Sequence, residues 1–327
     1  MGRLKDLMRS PVVKMMVARL LIGLGTIAVI SFVIYGVIEL LPGDIAREVL
    51  KSQATDESVR AFNERLGLDR PFLERYFEWL GNALHGDLGR SLISDVPVSE
   101  LLAQRVKNSA FLAVLAAVLA VPLALLLGIL SATFRNSVFD RATGITTLAC
   151  VSLPEFALGY LMILFLAVKT GLFPSLSVID PGAPLLERIW QTVLPALTLT
   201  LIVQAHMSRM TRSSLVALFQ RPYIEMAELK GLRRRKVVWR HALPNAMGPI
   251  AVVITLNMAY LLTGIVVIEA VFAYPGLGQL MVDAVARRDI PLVQAASLIF
   301  ATFYVSLNTL ADVIGIVTNP RLLYARK

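Results

Sequence analysis

YIEMAELKGLRRRKVVWRHALPN, residues 223–245, is polar and basic, and long apolar runs flank it on both sides. Taken alone, it parses as two short helices around a glycine. Pro222, just before it, suits a first helical position, where a missing N–H costs nothing. Glu225 and Glu228 fall in the first turns and Lys230 at the far end, the order that a helix dipole prefers. Gly231 supplies a positive φ that ends the helix. Arg233, Lys236, Val237 and Arg240 recur at helical spacing on a second helix, which Pro244 is expected to stop. Tyr223, Met226, Ala227 and Lys230 form one face of the first helix, apolar with a basic tip. Such a face suits a groove on another protein. The plainer reading is a solvated basic loop between membrane spans.

The apolar flanks set the class. The chain is 56% hydrophobic with a mean hydropathy of +0.69. An ordinary soluble domain is only roughly 45–50% apolar. The excess implies an all-α, polytopic membrane protein. Apolar runs at 20–38, 110–132, 145–168, 193–210, 249–273 and 293–317 predict six transmembrane helices. The first run lacks a small-residue cleavage site after it, so it reads as an uncleaved anchor rather than a signal peptide. Pro122, Pro154 and Pro195 lie inside or beside the runs, which neighbouring helices can accommodate.

Between the first and second runs the chain is polar and helical in pattern. Val59, Phe62 and Leu66 share a face that Gly67 closes. Beyond Pro71, the residues Leu73, Phe77, Leu80 and Leu84 make a second stripe. The Tyr76, Phe77 and Trp79 cluster suits a membrane interface. This segment either lies on the bilayer or offers a landing surface to a soluble partner outside it. The segments are therefore 1–44 (tail and first span), 45–104 (outer amphipathic helices), 105–318 (membrane core, with a loop at 211–246) and 319–327 (tail).

The formal charge of +9 does not imply nucleic acid, because of where it sits. Arg3, Lys5, Arg9, Lys14 and Arg19 precede the first span; Arg135 and Arg141 follow the second. Nine more basic residues lie between Arg209 and Arg240, and Arg321, Arg326 and Lys327 end the chain. Only Asp6, Asp140, Glu225 and Glu228 oppose them on that side. With six spans, the positive-inside rule puts both termini and the 211–246 loop in the cytoplasm.

Enzymatic signatures are missing. No GxxxxGK[ST] loop, HExxH pair or GxSxG elbow occurs. Gly276 and Gly278 lack the third glycine of a dinucleotide fingerprint and read as a turn. Cys150 is the only cysteine, and His85, His206 and His241 are too scattered for a metal site. The candidates for a solute path are acids within or beside spans, since such groups usually face a bundle interior or water. Glu155, next to Pro154, is the best placed and would attract a solute's amino group. Glu269 and Asp312 sit near span ends, where capping or pairing with a neighbour such as Asn308 competes with a path role.

The stretch from Glu225 resembles the EAA motif of ABC-importer permease subunits. That motif begins Glu-Ala-Ala and has a glycine four residues after its last alanine; here it reads Glu225-Met226-Ala227 with Gly231. Arg240-His241-Ala242-Leu243-Pro244-Asn245 follows, and Met226 replaces the first alanine. The wider chain resembles the dipeptide/oligopeptide/nickel permeases, specifically the member with the long first outer segment. The matching pieces are LPGD at 41–44, LGLDRPFLERYFEWL at 66–80 and GDLGRSL at 86–92. VVIEAVFAYPGLGQL at 266–280, RRDIPLVQA at 287–295 and NPR at 319–321 complete the set. The family usually has Asp where Asn319 stands.

The resemblance implies a type I ABC importer transmembrane domain in a bacterial-type inner membrane. It implies a second permease subunit, identical or homologous, and two separate ATPase subunits. It also implies a periplasmic solute-binding protein. ATP and magnesium would bind the ATPases, with no cofactor on this chain. The helix with Tyr223, Glu225, Met226, Ala227, Lys230 and Gly231, together with Arg240 and Pro244, would couple ATP-driven closure to the spans. The expected cargo is short peptides. Relatives of this type also handle nickel chelates, glutathione, opines and sugars. A self-sufficient ion-coupled carrier working through Glu155, Glu269 or Asp312 is the alternative from another class. The docking loop and the lack of inverted-repeat signals weigh against it.

Overall fold

The computed structural model describes residues 11–39, 54–66, 70–180 and 182–318. The sequence features LPGD at 41–44, Gly67, Asn319 and the terminal basic residues Arg3, Lys5, Arg9, Arg321, Arg326 and Lys327 lie outside the described residues. So do the side chains of Phe62 and Leu66. Among the described residues the fold is all helical, and one isolated bridge, Arg90 to Pro97, is the only strand-like pairing.

The helices in order are α1 (Pro11–Glu39), α2 (Asp56–Leu66), α3 (Phe72–Leu84), α4 (Val98–Thr133), α5 (Val138–Ser152) and α6 (Glu155–Met162). Then come α7 (Leu185–Phe219), α8 (Pro222–Leu229), α9 (Arg234–Val237), α10 (Leu243–Val271), α11 (Leu277–Arg287) and α12 (Ile290–Val317). Among the described residues, five helical stretches are long and apolar enough to cross a bilayer: Val13–Val37, Val98–Thr133, Leu185–Phe219, Arg234–Val271 and Ile290–Val317. A sixth exists only if α5 and α6 with its π-helical extension (Ile163–Lys169) count together.

That third expected span is not a straight rod. Its two arms bend by 108° at Leu153-Pro154. The cause is local. The residue before a proline is driven into extended backbone, and Leu153 has ψ 135°. Pro154 follows with ψ 143° and donates no N–H. Each arm is only roughly 20 Å long, short of the ~30 Å hydrocarbon core. Pro122 and Pro195, by contrast, stay within continuous helices.

The chain divides into two compact units. One comprises Met1–Gly23, Ala110–Tyr274 and Tyr304–Lys327. Its core runs along α4, where Leu112, Ala116, Ala120 and Ala124 recur every fourth residue and are buried. Small residues on one stripe let helices approach closely, the usual device where lipid supplies no hydrophobic drive. Leu194, Leu199, Val203 and Met207 of α7 and Ile265 and Ile268 of α10 belong to the same cluster. At Gly128 two helices approach closely: an added Cβ would lie 2.8 Å from the Ser208 carbonyl oxygen. Leu20, Leu21 and Ile22 of α1 and Val114, Val118 and Leu126 of α4 stand exposed. Such a surface suits hydrocarbon, not water.

The other unit comprises Leu24–Ser109 and Pro275–Phe303. It groups 275–303 with the outer segment, which a linear division at 104 keeps apart. In it, α3 packs on α1 through rings. Phe32 meets Tyr76 edge-on at 5.2 Å and Tyr35 lies 5.4 Å from Trp79, while Ser31 Oγ and Tyr76 Oη share a 2.8 Å hydrogen bond. The stripe read from sequence is on the opposite side, with Leu73, Phe77 and Leu84 exposed. Two motifs separated by almost 200 residues meet here. Asp289 is buried and accepts from the Leu92 N–H at 3.1 Å and from the Ser91 hydroxyl. Asn108 donates to the Pro275 carbonyl at 2.8 Å, and Ser109 Oγ accepts from Leu277 N–H at 2.7 Å.

Asp289→Ala leaves the Ser91 hydroxyl and the Leu92 N–H without their acceptor. We expect a loss of about 2 kcal/mol, read as a lower melting temperature of the purified protein in detergent. Asp289→Asn, which keeps one acceptor oxygen, should lose less.

Candidate functional site

The 222–245 loop is built from backbone chemistry upward. Pro222 occupies the start of α8, as its missing N–H allows. Gly231 closes the helix with φ +78°. The Leu232 N–H reaches the Ala227 carbonyl at 3.3 Å and the Gly231 N–H reaches the Glu228 carbonyl at 2.9 Å. This pair of bonds is a Schellman cap, which satisfies carbonyls that a helix end would otherwise orphan. No atom lies within 4 Å of a Cβ built at Gly231, so the glycine is required for its backbone angle rather than for space.

The face of α8 differs from the one read in sequence. Ala227 points inward with Ile224, and both are buried among Leu215, Val237, Ala242, Ala246 and Ile250. The reason is spacing: Ile224 and Ala227 are three apart and share a stripe. The small alanine lets α8 lie close against α7 and α10. The outer ridge is Tyr223, Met226 and Leu229, with Leu229 three-quarters exposed and Lys230 beside it. Leu229 went unread, although its spacing from Met226 and Tyr223 is the same i, i+3, i+6 series. Glu225 is exposed in the first turn. Arg234 braces the turn, pairing with Glu228 and lying 4.7 Å over the Phe219 ring.

Pro244 does not stop the second helix. The run continues from Arg234 to Val271 through a π-helical turn at Val238–Ala242. In a regular helix the Pro244 ring would strike the Arg240 carbonyl. The wider turn immediately before it relieves that clash. Asn245 then donates its side-chain N–H to the His241 carbonyl at 2.6 Å. Arg240, on this turn, is exposed.

An ion pair between a buried carboxylate and a partly exposed guanidinium fixes the same end of α7. Arg212 grips Asp140 with two bonds, Nε to Oδ1 at 2.7 Å and Nη2 to Oδ2 at 2.8 Å. Asp140 Oδ2 also accepts the Asn136 N–H at 2.9 Å, and Ser137 caps α5. Three hydrogen bonds to the buried carboxylate offset part of the desolvation that usually makes such pairs costly.

The four path candidates are not brought together. Glu155 opens α6, where the helix dipole favours a carboxylate. Its oxygens lie 3.3 and 3.4 Å from where a Gly264 Cβ would be, so that glycine admits the carboxylate to the α10 surface. The Tyr260 hydroxyl is in interaction range of Glu155, and the His206 ring contacts Tyr260 at 5.4 Å. Glu155, Tyr260 and His206 thus form a polar chain across α6, α10 and α7. Sequence reasoning missed the last two, although a polar ring inside an apolar run was itself the signal.

Glu269 is wholly buried and presents no surface to a path. It lies near Tyr274, whose phenol burial pushes up in pKa, with the Glu269 charge adding to the effect. Thr192 and Arg188 share that junction. Asp312 pairs with Arg19 at 3.1 Å, with both side chains about half exposed. Asn308 donates to the Tyr304 carbonyl of its own helix at 2.9 Å instead of meeting Asp312.

Comparison with known proteins agrees with this architecture. The family described as "binding-protein-dependent transport system inner membrane component" matches residues 124–324. Its N-terminal companion matches residues 12–112. The glutathione transport system permease protein GsiC of Escherichia coli O6:H1 is 35% identical over 309 residues, 94% of this chain and 98% of that protein. The proteins of the same name from Escherichia coli strain K12 and Shigella dysenteriae serotype 1 are 34% identical over the same shares. The chain belongs to the binding-protein-dependent transport system inner membrane components and is a permease subunit of an ABC importer of the inner membrane.

Proposed function

We propose that this subunit forms half of a translocation path for short peptides, glutathione-sized ones included, and that ATPase subunits drive it through the 222–245 loop. The observation that carries the coupling is the ridge of Tyr223, Met226 and Leu229. It stands exposed on a helix whose other side, Ile224 and Ala227, is locked into the core. A force applied to that ridge passes directly to α7 and α10, because the connection is packed rather than flexible. The basic residues around the loop favour the cytoplasmic side, where ATPases work. A second permease subunit, two ATPases and a solute-binding protein complete the assembly. Glu155, with Tyr260 and His206 behind it, receives the amino group of the passing peptide. The names of the relatives support a peptide-like cargo, since glutathione is a tripeptide.

Two measurements test this reading. Leu229→Glu and Met226→Glu put a charge on the ridge without touching the core. Each should strip the ATPase subunits from the purified complex and cut ATP-driven uptake more than tenfold. Uptake that persists without ATP, driven by a proton gradient alone, would instead make the chain an ion-coupled carrier. Glu155→Gln removes one charged hydrogen bond, about 1.5–3 kcal/mol, so uptake of peptides with a free amino group should fall at least tenfold. N-acetylated peptides should be unaffected. Equal losses for both kinds of peptide would remove Glu155 from recognition.

A further inference from the structure

A groove of about 650 Å³ lies between α4 and the Arg234–Val271 helix. Leu125, Ile129 and Leu130 form one wall and Met247, Ile250 and Ile254 the other. Arg234, Arg235 and Trp239 stand at its mouth. A shallower hollow of about 610 Å³, lined by Arg233, Arg235, Lys236 and Trp239, shares Arg235 and Trp239 with it. An apolar slot therefore opens directly into a basic cup. No carboxylate lines either one. Arg234 is paired with Glu228, which leaves the charges of Arg233, Arg235 and Lys236 to dominate the cup.

We propose that this is a binding site for an anionic phospholipid, with an acyl chain in the slot and the phosphate on Arg233, Arg235 and Lys236. Three observations select the occupant. The α4 wall spans from Leu125 to Phe134, roughly 14 Å of helix, which is one leaflet of a ~30 Å core. Trp239 is exposed beside the mouth, where an indole marks the headgroup level. Basic pockets between membrane helices recognise anionic headgroups by charge and acyl chains by shape. A soluble partner does not reach into a slot of hydrocarbon depth.

The test uses the purified full chain with any subunits that accompany it. Native mass spectrometry counts retained lipid after exchange with equal amounts of phosphatidylglycerol and phosphatidylcholine. Wild type should retain phosphatidylglycerol preferentially. The double variant Arg235→Gln, Lys236→Gln should lower that preference at least about fivefold, and Arg235→Lys should keep it. Ala251→Trp, which fills the slot, should lower retention of both lipids. Equal retention of the two lipids by wild type overturns the proposal, as does an unchanged preference in the double variant. A groove-filling variant that changes the number of permease chains, with lipid retention untouched, overturns it in favour of a subunit interface. If Ala251→Trp does not fold, the charge variants decide alone.

Discussion

The seating of Ile224 and Ala227 against Leu215, Val237, Ala246 and Ile250 is the contact on which the geometry of the 222–245 loop rests. In a bilayer the helices gain little from leaving lipid for one another, so close fit takes the place of hydrophobic drive. A two-turn helix is marginal in isolation. α8 persists because half of it is part of a core shared with two long helices, and because a Schellman cap and the Arg234 bridge close its end. The inner stripe holds the element still, and the outer ridge is what it presents.

How much of this was readable beforehand follows from the range of the interaction. Pro222 at the helix start and Gly231 at its end were legible because each is decided by its own backbone chemistry. The inward turn of Ala227 was not, since an alanine fits either side of a helix and only the position of Leu215 and Ala246 decides. Pro244 misled for a related reason: its effect depends on whether the preceding turn can widen, and Val238–Ala242 does. Pro154 had the opposite outcome from Pro122 and Pro195, although all three sit in apolar surroundings. The tie between Asp289 and Ser91 crosses 198 residues, and no local pattern announces such a pairing.

The intramembrane acids divide along the same line. Their presence in the spans was plain in the sequence, but their partners were not. Asp312 takes Arg19 from the first helix, Glu269 disappears into a junction with Tyr274, and Glu155 faces Tyr260 of α10. A charge in a span is thus informative mainly through what stands opposite it. Gly264 shows the converse, because the missing side chain is what makes room for the carboxylate.

The elbow at Leu153-Pro154 has a mechanical consequence. The ladder of backbone bonds is already interrupted there, so opening or closing the angle between the two arms ruptures none of it. Deformation concentrates at that joint while the rods on either side stay rigid, and the acid at the start of the second rod is carried along with it. At this one joint the angle between two rods can change, and a charged group move with it, without unwinding either helix.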